Sequence, residues 1–152
     1  AAAVCAALAT LVGVVEEVLF RGLLLGGLKT WFGRVLGAPG VLTAGLSVAL
    51  SGVLFGVLHL NPKQLTLTPT TEAYVTLALQ CTTGLWFGVV AQSPLLGGLC
   101  GAIIAHAAYD FTTFYSTHLA VTSQYAYARV EARRDMSDSI AAARWAQEHP
   151  LQ

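Results

Sequence analysis

Apolar positions along the chain form long runs and do not alternate with polar ones. Four stretches approach the length of about 20 mainly apolar residues that a membrane-spanning helix needs. They run from about Ala1 to Leu28, from Val41 to Leu60, from about Tyr74 to Gln92 and from about Leu95 to Tyr115. The strands of a membrane barrel would alternate apolar and polar residues, which these runs do not. The pattern therefore predicts an all-α, polytopic transmembrane helix bundle with about four embedded helices.

The links between these stretches are short and contain residues that interrupt helices. Four spans joined in this way predict that both termini lie on the same side of the membrane. Within the spans, glycines recur four residues apart, a spacing that lets helix backbones approach closely in lipid. These pairs are Gly52 with Gly56 and Gly84 with Gly88. The link residues are Gly33, Gly37, Pro39 and Gly40, then Asn61, Pro62 and Pro69, and then Ser93 and Pro94.

The C-terminal part of the chain has a different character, and we divide the sequence into a transmembrane domain at 1–117 and a polar tail at 118–152. Four of the eight basic and four of the eight acidic residues lie after residue 124. The tail predicts an amphipathic surface helix or a partly disordered segment. Its basic and acidic residues alternate and balance, so nucleic-acid binding is not indicated. The possible apolar side consists of Tyr125, Val130, Ile140 and Trp145.

Basic residues in the short links predict the orientation of the bundle. Lys29 and Arg34 lie on one side, whereas Lys63 and the four arginines of the tail lie on the other. The larger count places the tail on the cytosolic or stromal side.

Composition agrees with lipid as the main solvent. The chain is 55% hydrophobic and 11% charged, with a mean hydropathy of +0.65. Soluble domains carry about 25% charged residues, so too few are present here to cover a water-facing globule. Membrane lipid is therefore an expected partner.

Ionisable residues inside membrane spans are costly, and they are functional by default. In the first span, Glu17 and Arg21 are four residues apart and share a helix face, so we expect an ion pair. Glu16 points about 100° away from Glu17. Arg21 can therefore neutralise Glu17 and leave Glu16 as a general base towards water. A purely structural Glu–Arg pair between helices is the alternative.

Two further groups carry imidazoles. Phe55 and His59 are four residues apart at the end of the second span, and His106 and Asp110 are four apart in the last. A carboxylate beside an imidazole fixes its tautomer, as the outer ligands of metal sites do. Each group alone also fits a hydrogen-bonded structural role. Together, however, they place two Glu, one Arg, two His and one Asp in otherwise apolar helices.

The order EExxxR, FxxxH and then HxxxD on successive helices resembles the CAAX protease and bacteriocin-processing family. This family includes the type II, Rce-type CAAX prenyl endopeptidases. The resemblance covers about residues 10 to 115, through EEVLFRGLL, SGVLFGVLH and IIAHAAYDF. It implies an intramembrane endopeptidase whose catalytic residues are Glu16, His59 and His106. Glu17, Arg21, Asp110 and Phe55 would support them.

One position departs from the family pattern, because Asp110 stands where the best-known members have Asn. An Asn side chain can donate a hydrogen bond to a developing oxyanion, and an ionised Asp cannot. We therefore expect Asp110 to orient His106, while His106 stabilises the oxyanion.

The resemblance leaves the cofactor open. Members have been described both as metalloproteases and as metal-independent glutamate proteases, and we favour a metal-independent mechanism. If zinc is present, Glu16, His59 and His106 would be its ligands. The implied partner is a peptide or a prenylated protein. The implied location is the ER or a plastid membrane in a eukaryote, or the plasma membrane of a bacterium.

Two other functions are alternatives to the protease. A non-catalytic membrane scaffold, immunity factor or assembly factor would keep the same motifs for packing. A proton or ion carrier would need a polar path across the bilayer. The second and third spans offer little for such a path beyond Ser47, Ser51, Gln80, Thr82 and Thr83.

Overall fold

The structure is a computed structural model that describes residues 1–60 and 70–148. Within these ranges the chain is helical and contains no strand, which confirms the all-α class. A π-helical segment joins the first two α-helices, and a 3-10 turn precedes the last. The elements in order are α1 (Ala2–Glu17), the π-helical segment Val18–Leu24, α2 (Leu25–Val35), α3 (Gly40–Leu58), α4 (Thr71–Gln92), the turn Pro94–Leu96 and α5 (Gly98–Glu148).

Three helical stretches in the described part are long and apolar enough to cross a membrane. They are Ala2–Val35, Gly40–Leu58 and Thr71–Gln92. Large apolar side chains on these helices are exposed, including Leu8 at 50% and Leu23 at 67%. Such exposure is expected where lipid covers the surface. These stretches confirm three of the predicted spans.

The fourth predicted span, at the start of α5, does not meet the same criterion of length and hydropathy. It carries His106 and Asp110, which lower the hydropathy of the helix. The span also begins later than predicted, because Leu95 and Leu96 belong to the 3-10 turn and α5 starts at Gly98.

The predicted end of the first span, at about Leu28, is also wrong. The helix continues through Gly33 to Val35 and reverses at Gly37, whose φ of 61° is left-handed. Gly33 therefore lies inside α2 and does not interrupt it, since a single glycine within a helix is tolerated. The predicted breakers Asn61, Pro62 and Pro69, together with Lys63, lie outside the described residues.

The predicted glycine spacing marks the contact between α3 and α4. A Cβ on Gly56 would lie 2.8 Å from the backbone nitrogen of Cys81, and one on Gly84 would lie 2.9 Å from the carbonyl oxygen of Gly52. These distances are too short for any side chain. The two helices therefore pack backbone against backbone, as the spacing predicts.

Helices α1 and α5 are antiparallel neighbours. A Cβ on Gly13 would lie 3.1 Å from the backbone nitrogen of Ala107, and one on Gly22 would lie 3.9 Å from Leu99. Residue numbers thus rise along α1 as they fall along α5. The start of α1 and the C-terminal half of α5 consequently lie at the same end of the bundle.

The predicted tail forms the second half of α5 and follows the first half without a break. Every residue from Leu119 to Trp145 is exposed. The division into 1–117 and 118–152 therefore falls within one helix, and it stays a prediction. Residues 149–152 lie outside the described part.

Candidate active site

Three helices bring the predicted catalytic side chains together. Glu16 comes from the end of α1, His59 from the C-cap of α3 and His106 from α5. Oε2 of Glu16 lies 3.2 Å from Nε2 of His59 and 3.8 Å from Nε2 of His106. The predicted convergence is thus present, with one carboxylate oxygen between two imidazoles.

Glu16 lies within the apolar length of the first helical stretch, Ala2–Val35. A separate polar contact joins α2 to α4, where Nζ of Lys29 donates to Oε1 of Gln92 at 2.6 Å. Lys29 is 13 residues beyond Glu16, which corresponds to about 20 Å of helix at 1.5 Å per residue. The stretch between them is apolar apart from Glu17 and Arg21. Glu16 is thus far from this polar end, within the apolar length of the helix.

The predicted ion pair between Glu17 and Arg21 is present. Nη1 of Arg21 lies 3.1 Å from Oε1 of Glu17, and both side chains are fully buried. Nη1 itself makes no hydrogen bond among the described residues, so the contact is an electrostatic one. Nη2 donates to the carbonyl oxygen of Gly84 at 2.8 Å. Arg21 therefore holds the segment after α1 to both Glu17 and α4.

Three phenylalanine rings enclose the guanidinium of Arg21. Its central carbon lies 4.6 Å from the centroid of Phe55 and 5.6 Å from those of Phe20 and Phe87. Cation–π attraction favours a cation in this position. Phe87 also stacks on His106, with centroids 4.7 Å apart.

Phe55, predicted as a supporting residue, contacts the rings of both His59 and His106. Its ring centroid is 4.1 Å from that of His59 and 5.8 Å from that of His106. Its carbonyl oxygen is 2.7 Å from Nδ1 of His59. Because a carbonyl oxygen can only accept, Nδ1 donates, and Nε2 of His59 is directed at Glu16. Oε2 of Glu16 lies 3.2 Å from this nitrogen and makes no hydrogen bond among the described residues.

His106 is oriented by a different carboxylate from the one we expected. Nδ1 of His106 lies 2.8 Å from Oε1 of Glu17, whereas Oδ2 of Asp110 lies 3.5 Å from Nε2. An ionised carboxylate can only accept, so Nδ1 donates to Glu17. Glu17 therefore fixes the orientation of the ring, and Asp110 faces the nitrogen that points into the site.

Sequence reasoning missed three contributors to this site. Gly84 supplies the carbonyl for Arg21, Phe87 stacks on His106, and Ser51 donates to the carbonyl oxygen of Phe20 at 3.3 Å. The glycine spacing could have indicated Gly84, since close helix packing exposes backbone carbonyls to a neighbour. Phe87 and Ser51 carry no such signal in the sequence.

The predicted zinc ligands do not form a metal site in this arrangement. Within residues 1–60 and 70–148, no group of three or more His, Cys, Asp or Glu side chains is placed to hold a metal ion. Oε2 of Glu16 and Nε2 of His59 contact each other directly at 3.2 Å. We therefore derive no step through a metal.

Fold and site together define a membrane-embedded helical protein with a Glu–His centre. A family model, described as type II CAAX prenyl endopeptidase Rce1-like, matches residues 1–112. The chain belongs to this family, and the resemblance noted in the sequence is confirmed. Neither a curated protein nor a solved structure shows significant similarity to the chain. The family and the three apolar helices make it an integral membrane protein.

Proposed function

We propose that the chain is an intramembrane endopeptidase that hydrolyses a peptide bond with a water activated by Glu16 and His59. The observation that carries this proposal is the position of one carboxylate oxygen between two imidazoles, 3.2 Å from His59 and 3.8 Å from His106. An arrangement of this kind supplies a base for water and a donor for the developing oxyanion. The side chains of Glu16 and His59 are 26% and 28% exposed, whereas Oε2 of Glu16 is buried and makes no hydrogen bond among the described residues.

The reaction begins with water beside Glu16. The carboxylate of Glu16 takes one proton from the water, and the oxygen of that water attacks the carbonyl carbon of the scissile bond. His59, held by the Phe55 carbonyl, orients that water through Nε2. When the tetrahedral intermediate collapses, the C–N bond breaks and Glu16 returns the proton to the leaving amine.

His106 is placed to stabilise the oxyanion of this intermediate. Its Nδ1 proton is committed to Glu17, so only Nε2 can face the substrate. Donation from Nε2 requires a ring in which both nitrogens carry a proton. Glu17 and Arg21 thus support the chemistry by holding the ring of His106 in its orientation.

The family gives the substrate class at the level of a CAAX-type protease. We propose that the substrate is a prenylated protein or peptide that is processed near its C-terminus. The membrane would be that of the ER or a plastid in a eukaryote, or the plasma membrane of a bacterium. Glu16 lies within the apolar length of its helix and His59 lies at the end of α3, which fits a substrate delivered from the bilayer.

The decisive experiment measures cleavage of a fluorogenic farnesylated CAAX peptide by the purified protein in detergent micelles. We expect Glu16→Gln to lower kcat by at least about 100-fold, since Gln keeps the shape of Glu but cannot act as a base. Glu72→Gln is the matched control, because Glu72 lies in the exposed first turn of α4 and should leave cleavage unchanged.

Other outcomes separate the competing functions. Cleavage that is equal in the wild type and in Glu16→Gln removes Glu16 from the mechanism. If the folded wild type cleaves neither a prenylated nor an unprenylated peptide, the non-catalytic scaffold, immunity or assembly role replaces the protease.

A further inference from the structure

The turn that follows the two glutamates is π-helical. Seven residues, Val18–Leu24, adopt this form, and the backbone N–H of Leu25 donates to the carbonyl oxygen of Phe20, five residues earlier. Such turns are rare and occur often at functional sites. One additional residue in a turn rotates the two halves of a helix by about 100° relative to an unbroken α-helix. The π-helical segment thus sets the angle between α1 and α2.

Each half of this long helix is fixed against a different partner. In α1, Gly13 lies so close to α5 that its Cβ would be 3.1 Å from the backbone nitrogen of Ala107. In α2, Lys29 bonds to Gln92 of α4 at 2.6 Å. The π-helical segment lies between these two contacts.

A buried serine of α3 bonds to the centre of this segment. The hydroxyl of Ser51 donates to the carbonyl oxygen of Phe20 at 3.3 Å, and Ser51 is 1% exposed. Phe20 directly precedes Arg21, which binds Glu17 and the Gly84 carbonyl. A hydroxyl that bonds to a carbonyl of the π-helical turn stabilises that turn against relaxation to an ordinary α-helix.

We propose that Ser51 is a positioning residue for the protease. Its hydroxyl stabilises the π-helical segment, and this segment sets the rotation at which α1 presents Glu16 to His59 and Glu17 to His106. The proposal rests on the proposed function, because its kinetic consequences require a hydrolase. A misplacement of about 1 Å is enough to cost about 100-fold in rate when reacting groups must be aligned.

The chain offers a matched control one turn away. Ser47 lies on the same helix, is 0% exposed, and donates to the carbonyl oxygen of Thr43 at 2.7 Å within α3. Ser47→Ala therefore removes a buried hydroxyl without releasing another helix. Ser51→Ala removes the hydroxyl that reaches the π-helical segment.

Cleavage of the farnesylated peptide is measured for both variants and corrected for the folded fraction. We expect Ser51→Ala to lower kcat about tenfold with KM within about twofold, whereas Ser47→Ala keeps the wild-type kcat. Ser51→Cys, whose thiol is a weak donor, should fall between Ser51→Ala and the wild type. If Ser51→Ala does not fold, the kcat of Ser51→Cys decides, and an unchanged value overturns the proposal.

A spectroscopic measurement tests the same idea without catalysis. The ¹⁵N chemical shifts of the His106 ring report whether Nδ1 keeps its bond to Glu17. We expect them to change in Ser51→Ala and to stay the same in Ser47→Ala. Equal effects of the two variants on these shifts and on kcat would overturn the positioning role.

Parallel measurement of Glu16→Gln separates this proposal from the proposed function. If Glu16→Gln is inactive and Ser51→Ala is fully active, the proposed protease function stands and the positioning role of Ser51 is excluded. An active Glu16→Gln removes the proposed mechanism, and the ring shifts alone then decide on Ser51.

Discussion

Glu17 and His106, which are 89 positions apart in the chain, share a buried hydrogen bond of 2.8 Å between Oε1 and Nδ1. The same oxygen of Glu17 lies 3.1 Å from Nη1 of Arg21. One carboxylate oxygen therefore serves a guanidinium and an imidazole at once. This contact shows how Glu17 holds both Arg21 and His106 in place.

Glu17→Gln should destabilise the protein and lower its activity. The amide cannot neutralise Arg21, and removing one partner of a buried ion pair costs about 3–5 kcal/mol of folding free energy. Thermal unfolding in detergent, followed by intrinsic tryptophan fluorescence, should show a lower midpoint. Glu131→Gln in the exposed half of α5 is the control and should leave the midpoint unchanged. Wild-type stability in Glu17→Gln would contradict the buried pair.

Asp110→Asn should retain or improve cleavage. Asp110 lies 3.5 Å from Nε2 of His106, and an Asn side chain there can donate to an oxyanion, as an ionised Asp cannot. We expect kcat within about threefold of the wild type or above it, and a loss of about tenfold or more in Asp110→Leu, which has no polar group. Steady-state kinetics with the farnesylated peptide measures both. A strong loss in Asp110→Asn would show that the negative charge is required.

Removal of divalent metals should leave the proposed reaction intact. Glu16 and His59 contact each other directly. In the proposed mechanism Glu16 is the base and His59 orients the attacking water. We expect most of the activity to survive dialysis against 1,10-phenanthroline. Activity that disappears on dialysis and returns with added zinc would instead assign Glu16, His59 and His106 as its ligands.

Gly56→Ala should destabilise the bundle. A Cβ there would overlap the sulfur of Cys81 and lie 2.8 Å from its backbone nitrogen, so α3 and α4 would have to separate. Overpacking of this kind typically costs about 1–3 kcal/mol of folding free energy. Gly45→Ala is the matched control on the same helix, because nothing lies within 4 Å of its Cβ. Equal thermal midpoints in the two variants would contradict the close packing.

The turn at Gly37 and the exposed half of α5 should lie on opposite sides of the membrane. Antiparallel packing of α1 and α5 puts the start of the chain and the tail at one end, and α1 with α2 runs from that end to Gly37. Single cysteines at Ala38 and Ser137, in a background without Cys5, Cys81 and Cys100, can be labelled with an impermeant maleimide in sealed vesicles. Labelling of both from the same side would exclude this topology.

The sequence by itself determined the class of the protein and the identity of its polar residues. Long apolar runs allow only helices in lipid, since the backbone must satisfy its own hydrogen bonds there. Glu16, Glu17, Arg21, His59 and His106 were recognisable because ionisable residues are costly in such runs. The Glu17–Arg21 contact followed from helical periodicity, since residues four apart share a face.

Tertiary structure alone decided which groups contact each other across helices. Helical spacing favoured Asp110 as the partner that orients His106, yet Glu17 of α1 takes that position. The choice depends on how α1 packs against α5, where Gly13 approaches the backbone of Ala107. Local periodicity predicts contacts within one helix. Contacts between helices depend on how the helices pack, and so Ser51, Gly84 and Phe87 became visible as parts of the site only in the folded bundle.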